Sequence, residues 1–237
     1  MSITLRSVKG TALTHAELDQ NFIDLRDLPT GTVYPSASNV GIKVDTASPD
    51  WAWEDLVGTL FVDESDLANA AVFTNFIGNI KARQFINEQT DVAYVDFHIP
   101  HNYVEGTELY IHVHWSHSNT NVTGGSVTWG IDATYAKGHQ QSAFQAPITV
   151  AISQNANTTQ YTHMIAEGPL TTPGGAAGQF DTAIIETDGV INCRVFLDSN
   201  DLTVSSGVKP DPFVHFVDIH YQSRGFGTKN KSPDFFT

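Results

Sequence analysis

Apolar and polar residues alternate strictly through the middle of the chain. Ala93, Val95, Phe97 and Ile99 form one such series, Leu109, Ile111, Val113 and Trp115 a second, and Val127, Trp129, Ile131, Ala133 and Tyr135 a third. A period of two puts each series on one face of an extended strand and its polar neighbours on the other. Each series therefore predicts a half-buried antiparallel strand. Shorter runs at 148–152, 159–165, 183–185, 190–197 and 213–221 continue the pattern, broken by turn signals such as Asp188-Gly189. About eight strands without helices between them predict an all-β fold, an antiparallel β-sandwich that is jelly-roll-like. Residues 51–86 fit no single period: Trp51-Ala-Trp53-Glu-Asp-Leu56 reads as an aromatic turn, and 67–76 as a short helix or an irregular edge.

The first residues follow a different rule. Thr14 and Glu17 have the spacing of a capping box, and Leu13 and Leu18 that of the hydrophobic staple around it. Leu18, Phe22 and Leu25 then recur at helical spacing until Leu28 and Pro29 end the pattern. A short amphipathic helix is predicted. At about a dozen residues it is marginal alone in water, so Leu13, Leu18, Phe22 and Leu25 are candidates for anchoring or oligomerisation. Pro, Gly, Ser and Thr crowd the following segment. The expected organisation is a helical anchor over 1–28, a linker over 29–40 and the sandwich domain over 41–237.

Charge narrows the choice of partner. Twelve Lys and Arg stand against 26 Asp and Glu, a formal net charge of -14, which disfavours nucleic acid and anionic membrane as partners. No apolar run approaches the roughly 20 residues of a membrane span, and no signal-peptide core is visible at the start, so membrane insertion is not expected. Cys193 is the single cysteine, which rules out an intramolecular disulfide and argues against a cysteine-based zinc site. Its alternation with Ile191 and Val195 predicts a buried, unreactive thiol.

Ten histidines raise the question of metal binding. They are densest at His98, His101, His112, His114 and His117. If strands 93–99 and 109–115 form a hairpin, His98, Tyr94 and Asp96 share one surface with Glu108, Tyr110, His112 and His114. That surface has two readings: a polar outer or subunit-facing side of a sheet, or a structural ion cluster of His98, His112 and His114. Asp218 and His220 have the parity to join it. The spacing Gly106, five residues, His112-Val-His114 and a later Gly125 is similar to the first cupin motif. However, Ser118 or Asn119 stands where that motif has glutamate, and no second motif surrounds Gly168 and Pro173. No catalytic metal and no cofactor are expected. Without a nucleophile elbow or a phosphate-binding glycine loop, neither is enzyme activity.

The opening Leu5-Arg-Ser-Val-Lys-Gly-Thr-Ala-Leu-Thr-His-Ala-Glu-Leu-Asp-Gln-Asn-Phe22 resembles a segment near the start of tailed-bacteriophage fibre and other virion structural proteins. The stretches His98-Ile-Pro-His101 to His112-Val-His-Trp115 and Gly227 to Phe236 are similar to structural proteins of marine and cyanobacterial phages. The resemblance implies a virion location, with assembly in the host cytoplasm. Two roles follow from it. One is a homotrimeric capsid decoration (cement) protein on the particle surface, partnered by the major capsid protein. The other is a tail fibre or adhesin that joins a tail protein and binds a host glycan through aromatics such as Trp51 and Trp53. The absence of shaft-forming repeats favours decoration.

Overall fold

The computed structural model describes Thr14 and residues 33–35, 42–44 and 51–235. The expected N-terminal helix, with Leu13, Leu18, Phe22 and Leu25, lies outside these residues. Two short strands, β1 (Val33–Pro35) and β2 (Ile42–Val44), pair antiparallel, so part of the expected linker is in a β-ribbon.

Two antiparallel sheets carry the rest. The four-stranded sheet is built, in spatial order, from β10 (Ile148–Asn155), β9 (Ser126–Ala136), β14 (Val190–Asn200) and β6 (Val92–His98). The six-stranded sheet runs β11 (Met164–Pro169), β7 (Tyr110–Ser116), β16 (Phe213–Ser223), β5 (Ile80–Gln84) and β4 (Val72–Ile77), with β3 (Ala52–Gly58) also paired to β16. The chain crosses between sheets from β6 to β7, back to β9 and β10, over to β11, back to β14 and over to β16. This is the winding of a jelly roll. Short pairs β8 (Val122–Gly124) with β15 (Thr203–Val204), and β12 (Thr171–Thr172) with β13 (Phe180–Asp181), trim the ends.

The inner faces are the alternating residues read from the sequence. Val95 and Phe97 of β6, Trp129 and Ile131 of β9, and Cys193 and Val195 of β14 meet Ile111, Val113 and Trp115 of β7 and Val217 and Ile219 of β16 in one buried cluster. Burying such side chains supplies the main driving force for the fold. The sheets also approach closely at their rims: a Cβ on Gly58 would lie 2.1 Å from Val95 Cγ2, so only hydrogen fits there.

Three expectations are corrected. Strands β6 and β7 do not form a hairpin; β6 pairs with β14, and β7 with β11 and β16. Residues 182–184 form a 3-10 turn capped by the Asp181 side chain, which accepts from the Ala183 amide, where a strand was expected over 183–185. The run at 159–165 becomes a strand only from Met164. The unassigned region 51–86 contains β3, β4, β5 and a 3-10 turn at Leu67–Asn69. Among the described residues no helix is long and apolar enough to cross a membrane.

Candidate functional site

On β7, residues 111, 113 and 115 point into the core, so His112 and His114 point to the outer face of the six-stranded sheet. Its ladder aligns three rungs there. Ile165, His114 and Phe216 form the first, Glu167, His112, Asp218 and Val57 the second, and Pro169, Tyr110, His220 and Asp55 the third. An extra residue in β16 between Val214 and Phe216 shifts the register there. Such a bulge re-aims side chains; it brings Phe216 into line with His114, their rings stacked 3.9 Å apart.

Asp218 is the centre of this face. It is 1% exposed, with His112 and His114 at 6% each. His112 Nδ1 is 3.1 Å from Asp218 Oδ1, and His114 Nε2 is 2.8 Å from Asp218 Oδ2. Each imidazole is held from behind: His112 Nε2 meets Glu167 Oε2 at 2.8 Å, and His114 Nδ1 meets His163 Nε2 at 2.7 Å. Beside them His220 packs on His112 with ring centroids 4.9 Å apart and on Trp53 at 4.8 Å. Asp55, His112 and His220 form an overlapping trio whose Asp55 is exposed.

The electrostatics follow from this packing. Burial alone would raise the Asp218 carboxyl, but the two imidazoles outweigh it and hold the group down at about 2. Burial would likewise lower His112, yet Asp218 and Glu167 outweigh it and hold the imidazole above its usual value. His163 and His215 are pushed the other way, by burial first and then by neighbouring imidazoles.

The expected cluster of His98, His112 and His114 is thus corrected: only the last two meet. His98 lies on the outer face of the opposite sheet, 3.4 Å from Asp188, which also accepts His101 and His139 at 2.8 Å each. Because β6 and β7 belong to different sheets, no rotamer can bring His98 to His112. Asp218 takes the place His98 was expected to fill.

A second feature lies farther along the same sheet. Among the described residues strand β4 is an edge, paired only to β5. Phe73 is 56% exposed and Ile80, in the adjoining β5, 64%. Lys81 and Arg83 lie over the Phe73 ring at 6.0 and 5.2 Å. Phe73, Lys81 and Arg83, together with Val57 and Phe216, border a groove of about 560 Å³ between β3 and β5.

No protein-family model and no curated protein matches the chain. Two solved structures are similar at low scores. One is the Clostridium thermocellum xylanase 10B, CBM22-1-GH10 modules complexed with xylohexaose, at 14% identity and a TM-score of 0.33. The likeness covers 75% of this chain and 27% of that one. The other is the xylan-binding module CBM15, at 9% identity and a TM-score of 0.29, over 75% of this chain and 94% of that one. Scores this low carry no inference about function.

Parity alone assigns Asp218 and His220 to this face. Glu167 and His163 went unnoticed because their partners stand 55 and 49 residues away in the chain, and no local spacing announces a contact across the β7–β11 ladder.

Proposed function

We propose that this protein is a structural component of a tailed-bacteriophage particle, a homotrimeric capsid decoration subunit whose sandwich faces outward. The observation that carries the reading is the apolar edge at β4 and β5 that is exposed among the described residues. An exposed strand edge rich in Phe and Ile is an aggregation hazard in a free monomer, and association covers it. The occupant is a second copy of this chain: Lys81 and Arg83 frame the edge in a chain of net charge -14, so a neighbouring copy offers them complementary acidic surface. The resemblance of residues 5–22 to virion proteins supports the particle as the setting.

A tail adhesin is the second reading, and Trp53 favours it. This indole is 47% exposed and set edge-on to Tyr110 at 5.9 Å, beside the polar residues of the outer face, as a sugar-stacking platform requires.

Light scattering at micromolar concentration tests the assembly. The wild-type chain is expected at three times the mass of one chain. Burying an isoleucine contributes about 1.5–3 kcal/mol, so Ile80→Lys should weaken association by at least about 10-fold. A monomeric wild type, or an Ile80→Lys variant with unchanged association, would refute the reading.

A further inference from the structure

We infer that His112 Nδ1, His114 Nε2 and the Asp218 carboxylate form a binding site for one divalent transition-metal ion, zinc being the best fit. The inference stands independently of the particle assignment. Their ligand atoms lie within 4.8 Å of one another, on side chains at least nine-tenths buried.

The geometry makes the case. Glu167 Oε2 engages His112 Nε2 at 2.8 Å and His163 Nε2 engages His114 Nδ1 at 2.7 Å, so the ring nitrogens left facing Asp218 are His112 Nδ1 and His114 Nε2. These two nitrogens and a carboxylate converge at 3.1 and 2.8 Å, an arrangement that needs a proton or a metal cation among them.

A proton could serve if it lay on the N···O lines. It does not fit, because neither His114 Nε2 nor Asp218 Oδ1 makes an aligned hydrogen bond despite these short distances. Buried polar atoms without partners are costly. Tetrahedral ligands about 2.1 Å from one ion lie about 3.4 Å from each other, so a small outward shift of these side chains lets an ion set beside the N···O lines bind all three. Imidazole with carboxylate selects zinc-like ions over magnesium or calcium. Glu167 behind His112 is the carboxylate–histidine support that orients such ligands. Its side chain is 56% exposed, so solvent reaches the back of the His112 ring.

The test is calorimetric titration of zinc chloride into tag-free, chelator-treated full-length protein. Binding of one zinc per chain, and visible absorption of low-coordinate cobalt(II) in its place, are expected. Folded His114→Gln and Asp218→Asn variants should lose both signals. Glu167→Gln, whose exposed side chain makes misfolding no concern, should weaken binding about 10–100-fold. His139→Gln, on the Asp188 cluster, should bind as wild type. No stoichiometric zinc, binding that survives in Asp218→Asn, or unchanged affinity in Glu167→Gln would each overturn the inference.

Discussion

Two buried tryptophans should respond unequally to the same substitution. Trp115 of β7 and Trp129 of β9 are both fully buried and touch edge-to-face, their rings 6.3 Å apart. Trp115 Nε1 donates to Gln154 Oε1 at 2.6 Å, whereas Trp129 Nε1 finds no acceptor among the described residues. Replacing either by Phe removes about 40 Å³, and at about 24 cal/mol per Å³ the cavity costs about 1 kcal/mol, with about 1 kcal/mol more for lost burial. Trp115→Phe also discards a hydrogen bond worth about 1 kcal/mol, for a total near 3. Trp129→Phe instead deletes an unsatisfied buried donor, recovering about 1–3 kcal/mol. Its net effect lies between a loss of about 1 kcal/mol and a gain of about 1 kcal/mol. Urea unfolding followed by far-ultraviolet circular dichroism, which does not depend on the altered fluorophores, measures both. A Trp129→Phe loss equal to or above that of Trp115→Phe would refute the reasoning, because filling space would then outweigh the orphaned N–H.

Cys193 is 3% exposed and burial pushes its thiol well above the usual range, so a thiol reagent at pH 8 should leave it unmodified in the native protein and react fully in urea; fast native labelling would contradict its placement in the core. Deleting residues 1–28 should leave the β circular-dichroism signal intact while abolishing incorporation into particles, since the buried cluster of the described residues lies within 71–221; loss of that signal would tie the segment to the core.

The faces of the strands were legible in the sequence, and their neighbours were not. Alternation assigned Val95, Phe97, Ile111, Val113, Trp129 and Ile131 to the core, because a residue's side of a strand depends only on parity. Parity says nothing about which strand lies alongside, so it does not show that the segment after Ile99 crosses to the opposite sheet instead of closing a hairpin. That crossing exchanges His98 for Asp218 in the cluster. Strand β3 was missed for another reason: as an edge element it exposes Trp53, Glu54 and Asp55 in succession, so no alternation develops. Cys193 was predictable because its neighbours in β14 bury every second side chain.

The most direct test of the central claim is electron microscopy of intact particles that carry the protein with a gold or fluorescent label. Many copies in groups of three over the head are predicted. Label confined to the tail would contradict decoration in favour of the adhesin, and particles without label would contradict a virion role altogether.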